Sequence, residues 1–275
     1  MNFSYLQKFG EFNKLYGYLE EAESFALSRP NISATSARKA MEYIVKFIYK
    51  ANVCAEDYGF TIFEMITDAR FTAYINDSVF INSLHFIRKM GNVAAHDGEL
   101  CRDDSLKILE ELHFIVGEFA ILLGLVSDYP EFVQPSDKPV TREEVKKVEE
   151  APKKVEVENE IIAKFASRMR SVVFNVAHGR DESENKKLYM SASLREAGWA
   201  IVNKPDQAMP CSAGINMLLD DGDTVDYILY GRDNRPLAVI EYTTTNQNLI
   251  EGRTKAIEKA TEKELEYLIA KREAK

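Results

Sequence analysis

Several features that would narrow the class of protein are missing from this sequence of 275 residues. It has no run of about 18 apolar residues, the length that a membrane-spanning helix requires. Its start, MNFSYLQKFGEF, lacks the basic, then apolar, then small-residue order of a signal peptide. Its three cysteines are far apart and form no CxxC pair, which argues against a disulfide framework and a zinc ribbon. We therefore expect a cytoplasmic protein with no membrane partner.

An excess of positive charge is also missing, since the formal net charge is -9 at pH 7. A nucleic-acid-binding surface neutralises phosphates with clustered Lys and Arg, so this composition argues against a protein that binds DNA over its whole surface. Any contact with DNA must be local. The phosphate-loop motif GxxxxGK[ST] is absent, and we expect no small-molecule cofactor bound by this chain.

What is present is an apolar content of 45%, enough for about two domains. Up to about residue 128 the apolar spacing is helical, and Ser36 is placed to cap one of the helices. The stripe that follows it consists of Met41, Ile44, Val45 and Ile48. Residues 1–129 are therefore predicted to form an all-helical bundle.

A change of composition separates this bundle from a second module. Residues 130–158 combine prolines with mixed charges and few apolar groups, which is typical of a linker. Residues 159–275 then change period from helical to alternating, so an α/β fold is predicted there. The expected elements are helices at 161–177 and 184–197, the latter capped by Gly198, strands at 200–202, 225–230 and 237–242, and a final helix from about 249.

Two acidic residues stand at matching positions of a predicted hairpin, DYILYGRDNRPLAVIEYTTT. With the turn centred between residues 233 and 234, the expected pairs are Tyr230 with Leu237, Ile228 with Val239, and Asp226 with Glu241. Opposed carboxylates with β-carbons about 5 Å apart repel unless one is protonated or a metal binds both. The alternative is an acid pair on a solvated face. The apolar run LAVI argues against it, because it predicts a strand covered on both faces.

The order of these elements resembles the PD-(D/E)xK nuclease core. A helix with Glu184, the segment LREAGW, Asp226 in VDYILY, the hairpin and Glu241 at the end of LAVIE follow one another. Together with EGRTKA they are similar to the nuclease domain at the start of type I restriction R subunits. The resemblance implies a restriction-endonuclease-like core, incomplete at its C-terminal end, in which Asp226 and Glu241 bind Mg²⁺ and Glu184 is a third carboxylate.

One position departs from the family pattern, which has a lysine two residues after the second acid. Thr243 stands there, and a neutral hydroxyl cannot stabilise developing negative charge, so the nuclease is predicted to be impaired. The next helix offers a replacement, with Lys255 as the catalytic candidate and Lys259 one turn later. Arg253 and Lys259 are candidates for DNA contact. The alternative is that these lysines are surface residues of an amphipathic helix.

The first module resembles a HEPN-like helical domain found in front of restriction-type helicases. The segments ARKAMEYIVKFIYKA and LHFIRKMGNVAAHDG support this resemblance through Arg38, Glu42, Arg88, Gly91, Asn92 and His96. Some HEPN proteins cleave RNA with a neighbouring Arg and His. Arg88 and His96 are eight residues apart, about 12 Å by helical rise. We expect instead a polar network in which Arg38 or Arg88 pairs with Glu42, while Asn92 and His96 cap or bridge helices.

These resemblances imply the N-terminal part of a restriction endonuclease that hydrolyses duplex DNA with Mg²⁺. Methyltransferase and specificity subunits would be its partners, and ATP would act only through motor domains that this chain lacks. Two alternatives remain: a non-catalytic module that docks DNA or protein, and a HEPN-like ribonuclease. A catalytic nuclease requires a cation near Asp226 and Glu241, whereas a non-catalytic module predicts a solvated acid pair. A HEPN-like ribonuclease requires the side chains of Arg88 and His96 to converge.

Overall fold

The residues of the chain form two compact units, Met1–Asn185 and Lys186–Lys275. The computed structural model, with the side chains of 154–158 excepted, describes residues 1–54, 59–96, 98–136, 154–172, 174, 179–203, 211–219, 223–241, 254–261 and 263. Within these ranges the first unit is helical and the second combines helix with a four-stranded sheet. The prediction of a helical part followed by an α/β part is thus confirmed.

Helix α2 lies at the centre of the first unit and packs against α1, α5, α6 and α7. The helices are α1 (Asn13–Phe25), α2 (Pro30–Asn52), α3 (Ile62–Thr67), α4 (Ala69–Ile75), α5 (Ser78–Ala95), α6 (Arg102–Leu123) and α7 (Lys154–Ser171), after 3-10 turns at Ser4–Leu6 and Gly10–Phe12. Among the helices of the described residues, none has both the length and the apolar character that crossing a membrane requires.

The apolar stripe predicted for α2 is buried: Met41, Ile44 and Val45 are all at 0% exposure. The helix begins earlier than predicted, with Pro30 in the first turn, where its missing N–H costs no hydrogen bond. Ser36 is therefore not a cap. It lies inside α2, and its hydroxyl donates to Oε2 of Glu21 at 2.6 Å.

Helix α7 belongs to the first unit, although the helix predicted at 161–177 was assigned to the second module. Phe165 is buried, and its ring centroid lies 5.7 Å from that of Phe12 and 6.3 Å from that of Phe47. Nε of Arg170 also donates to the carbonyl of Ala51 at 3.0 Å. The compact units consequently divide at Asn185 and Lys186, within α8, while residues 137–153 of the predicted linker lie outside the described residues.

The second unit contains a sheet of order β1-β2-β3-β4, in which β1 is parallel to β2 and the other neighbours are antiparallel. Its elements are the end of α8 (Glu182–Glu196), β1 (Ala200–Val202), β2 (Ser212–Leu218), β3 (Thr224–Tyr230) and β4 (Pro236–Ile240). Strand β2 was not predicted. Gly198 follows α8 with φ +90°, which confirms its predicted capping role, since glycine adopts this conformation without a β-carbon clash.

The hairpin of β3 and β4 is confirmed, and Ile228 pairs with Val239 as predicted. A register shift between Leu229 and Tyr230 makes Tyr230 pair with Pro236 rather than with Leu237, so the prediction was wrong at the turn. The prediction that β4 is covered on both faces was also wrong. Leu237 is 60% exposed, because β4 is the edge strand of the described sheet.

Candidate functional site

Asp226 and Glu241 lie next to each other in the register of the hairpin. The last pair of β3 and β4 at this end is Tyr227 with Ile240. The same antiparallel register, continued by one residue past the end of β4, aligns Asp226 with Glu241. Asp226 is half-buried within β3, and the side chain of Glu241 is 16% exposed. The hairpin therefore holds two carboxylates at one end of the sheet.

The neighbour of Asp226 anchors β3 to α8. The Tyr227 side chain is fully buried, and its hydroxyl lies 2.6 Å from the hydroxyl of Ser191. The same hydroxyl donates to the carbonyl of Lys187 at 3.1 Å. Because side chains alternate along a strand, an anchored Tyr227 directs Asp226 to the opposite face of the sheet.

A cation from the helical segment at residues 254–261 contacts Glu241, one member of this acid pair. Nζ of Lys259 donates to Oε1 of Glu241 at 3.1 Å and to the carbonyl of Thr224, the first residue of β3, at 2.6 Å. The side chains of Lys259 and Glu241 are 19% and 16% exposed, so the ion pair is largely withdrawn from water. Lys259, predicted for DNA contact, is thus the lysine that the structure places on Glu241.

The other predicted site residues stand in different situations. Lys255 lies one helical turn before Lys259 and is exposed. Glu184 is exposed in the first turn of α8 and falls within the first compact unit. Thr243 and Arg253 lie outside the described residues. The roles assigned to these four residues stay predictions.

The carboxylate oxygens of this site suit a magnesium ion that phosphates of a substrate would also bind. Mg²⁺ takes oxygen ligands and is usually bound by one or two carboxylates together with phosphates and water. Asp226 and Glu241 supply two carboxylates. Within the described ranges, no group of three His, Cys, Asp or Glu side chains is arranged to hold a metal. The sheet end therefore offers two acidic ligands and a cation.

The polar network predicted for the helical unit is present around Arg38. Its Nε donates to Oε1 of Glu42 at 2.8 Å, and its Nη1 donates to Oδ1 of Asn92 on α5. Gly91 makes this approach possible, because a β-carbon there would lie 2.6 Å from Cδ of Arg38. The network joins α2 to α5.

Arg88 and His96, the two residues that a HEPN-like ribonuclease would use, lie at different points of α5. The guanidinium carbon of Arg88 is 5.3 Å from the ring centroid of Phe63. His96 is exposed at the C-terminal end of the helix. The convergence of these two side chains is required only by the ribonuclease alternative, and that alternative stays a hypothesis.

A second group of polar side chains surrounds Glu111, a buried residue of α6. Nη1 of Arg180 lies 2.6 Å from Oε1 of Glu111, whose side chain is 2% exposed. The hydroxyl of Ser83 donates to the other carboxylate oxygen, also at 2.6 Å. Burial, and secondarily the charge of Arg180, lowers the pKa of His113 to about 4. This group was not singled out in the sequence, because its members come from three separate segments.

No protein-family model matches the chain, and neither the curated proteins nor the solved structures compared with it gave a match.

Proposed function

We propose that the second unit is a metal-dependent nuclease core for duplex DNA, of the kind found at the start of type I restriction R subunits. The observation that carries the proposal is the contact of Lys259 with Glu241, at 3.1 Å, beside the position of Asp226. Two carboxylates and an ammonium group are the side chains that a PD-(D/E)xK site requires. The order of helix, antiparallel strands and helix agrees with that reading.

Lys259 takes the place of the motif lysine that Thr243 replaces. A neutral hydroxyl carries no charge to the reacting phosphate, whereas an ammonium group stabilises negative charge that develops during the reaction. The contacts of Lys259 with Glu241 and Thr224 hold its ammonium group at the end of the acid pair. The positive charge thus comes from the following helix rather than from the strand.

Asp226 and Glu241 would hold Mg²⁺, with Glu184 as a further predicted ligand. When bound, the ion would polarise the scissile phosphate and lower the pKa of an attacking water. Glu241 would accept the hydrogen bond that orients Lys259, and Lys259 would bind a nonbridging phosphate oxygen. Water would add to phosphorus and give up a proton, while the P–O bond to the leaving sugar oxygen breaks and that oxygen takes up a proton. Partner methyltransferase and specificity subunits would supply the choice of DNA sequence.

The test combines metal binding with DNA cleavage. Calorimetry with Mn²⁺ is expected to show binding by the intact chain and a loss of binding in Asp226→Asn and Glu241→Gln. Nicking of supercoiled plasmid with Mg²⁺ or Mn²⁺ is expected to fall about 100-fold or more in Lys259→Met, the scale for loss of one charge-stabilising group. Lys255→Met is the matched control, because this lysine lies on the same segment and is exposed.

Two outcomes contradict the proposal. Undiminished nicking by Lys259→Met refutes the role of that lysine, and absence of metal binding by the unaltered chain refutes the metal site. Loss of nicking in Lys255→Met alone would instead transfer the catalytic role to Lys255.

The second candidate is a non-catalytic module that docks DNA or protein, and the bond of Lys259 to the carbonyl of Thr224 favours it. That bond, with the ion pair to Glu241, also fastens the helical segment to the sheet. A scaffold of this kind predicts that Lys259→Met lowers the melting temperature of the second unit, measured by the fluorescence of Trp199, while the chain neither binds Mn²⁺ nor nicks DNA.

A further inference from the structure

A cleft in the first unit combines lysines with aromatic rings. It lies between α1, α2 and α7 and has a volume of about 180 Å³. Its basic and aromatic lining consists mainly of Lys14, Tyr18, Lys39, Tyr43, Lys46 and Lys50. None of these residues belongs to the candidate nuclease site.

The charge of the cleft is positive although the chain as a whole is acidic. Lys39, Lys46 and Lys50 recur at spacings of seven and four residues on α2, which places them along one face. Among the described side chains, none forms an ion pair with these three lysines. The acidic lining residue Glu42 is already bonded to Arg38 at 2.8 Å. The lysine charges are therefore not cancelled by the lining.

The aromatic rings stand beside the ammonium groups. Nζ of Lys39 lies 5.9 Å from the ring centroid of Tyr18, and Nζ of Lys14 lies 5.9 Å from that of Tyr43. Both tyrosines are half-buried in the cleft wall. Proteins that bind single-stranded nucleic acid combine a basic groove for the phosphates with aromatic rings on which unpaired bases stack.

We propose that this cleft binds single-stranded nucleic acid, with phosphates on the lysines and unpaired bases against Tyr18 and Tyr43. The distance along α2 from Lys39 to Lys50 is about 16 Å. At about 3.4 Å per nucleotide in a stacked strand, it covers four or five nucleotides. A duplex fits this lining poorly, because its bases are paired and cannot reach the rings. The site is distinct from the proposed nuclease and needs no metal.

The test is fluorescence anisotropy of labelled oligo(dT) and oligo(U) with the full chain in EDTA, so that neither metal nor cleavage contributes. The double variant Lys39→Glu with Lys46→Glu is expected to bind at least tenfold more weakly. The matched control is Lys8→Glu with Arg232→Glu, which makes the same change of charge on exposed residues outside the cleft and is expected to stay within about twofold. Binding of either polymer that weakens in the cleft variant and not in the control supports the proposal.

Two further measurements separate stacking from charge. Tyr18→Leu is expected to weaken binding of the single strand about tenfold, because the lost stacking energy is of that order. With Lys39, Lys46 and Lys50 in contact with phosphates, the logarithm of the association constant is expected to fall with the logarithm of salt at a slope of about -2. Far-UV circular dichroism verifies that each variant is folded.

Three results would overturn the proposal. They are the absence of binding by the unaltered chain, equal weakening in the cleft variant and the control, and binding of a duplex as tight as that of the single strand.

Discussion

Replacement of Arg180 by methionine tests the buried ion pair on α6. The guanidinium group bonds Glu111 at 2.6 Å, and Glu111 is 2% exposed, so Arg180→Met leaves a carboxylate in the interior without its counter-ion. Methionine keeps most of the aliphatic part of the side chain but lacks the guanidinium group, whose carbon lies 4.3 Å from the ring centroid of Phe114. The substitution therefore removes chiefly the charge and its hydrogen bonds.

The expected loss of stability follows from the exposed fractions of the Glu111 and Arg180 side chains. Removal of one partner of a buried ion pair costs about 3 to 5 kcal/mol. The side chain of Arg180 is 27% exposed, and Ser83 still donates to Glu111 at 2.6 Å, so the low end applies. We expect a loss of about 3 kcal/mol in the free energy of unfolding, or about 6 to 12 °C in the melting temperature of a unit of this size.

Urea and thermal unfolding followed by far-UV circular dichroism measure this loss, because the first unit contains most of the described helix. Arg70→Met is the matched control, since Arg70 pairs with Asp68 at 2.7 Å but is 62% exposed, and surface pairs are worth about 1 kcal/mol or less. In Glu111→Gln combined with Arg180→Met, most of the stability is expected to return, because no charge stays buried. The reasoning is refuted if Arg180→Met costs no more than the control, or if the two substitutions are additive.

Two further predictions concern the same unit and are measured by urea unfolding. Gly91→Ala is expected to cost about 1 to 3 kcal/mol, because the new β-carbon would lie 2.6 Å from Cδ of Arg38, whereas Gly179→Ala meets no atom within 4 Å and should be nearly neutral. A comparable cost at both positions would contradict the steric argument. The pKa of His113 is lowered from its ordinary value of 6.5 to about 4, first by burial and then by the charge of Arg180. The unfolded chain takes up this proton at higher pH than the folded chain, so stability is full above pH 6.5 and falls toward about pH 4. Between pH 7 and about pH 4.5, the unaltered chain should lose about 2 kcal/mol more than His113→Gln, and equal losses would show that His113 does not titrate in this way.

The sequence by itself determined the buried face of α2 and the register at the acid pair. The spacing of Met41, Ile44 and Val45 predicted a buried helical face, which the structure confirms. Strand alternation around the turn predicted the pairing of Ile228 with Val239, because a slip of one residue would move every side chain to the other face. Both patterns depend on neighbours in sequence, so no tertiary information was needed to find them.

Strand β2 shows where local patterns are insufficient. Its sequence, SAGINML, contains glycine and asparagine, which are depleted in strands, and Asn216 within it has φ +48°. It becomes a strand because it pairs with β1 on one side and β3 on the other. Such pairing depends on residues distant in sequence.

The tertiary structure also decided which partner each surface meets. The apolar stripe of α7 was visible in the sequence, but its packing on Phe12 and Phe47 of the first unit was not. Lys255 and Lys259 are one turn apart on the same helical face, so their spacing could not rank them as partners of Glu241. The placement of the helical segment brings Nζ of Lys259 to 3.1 Å from that acid. A periodic sequence specifies which face of an element is buried or charged, whereas the orientation of the packed elements determines what that face contacts.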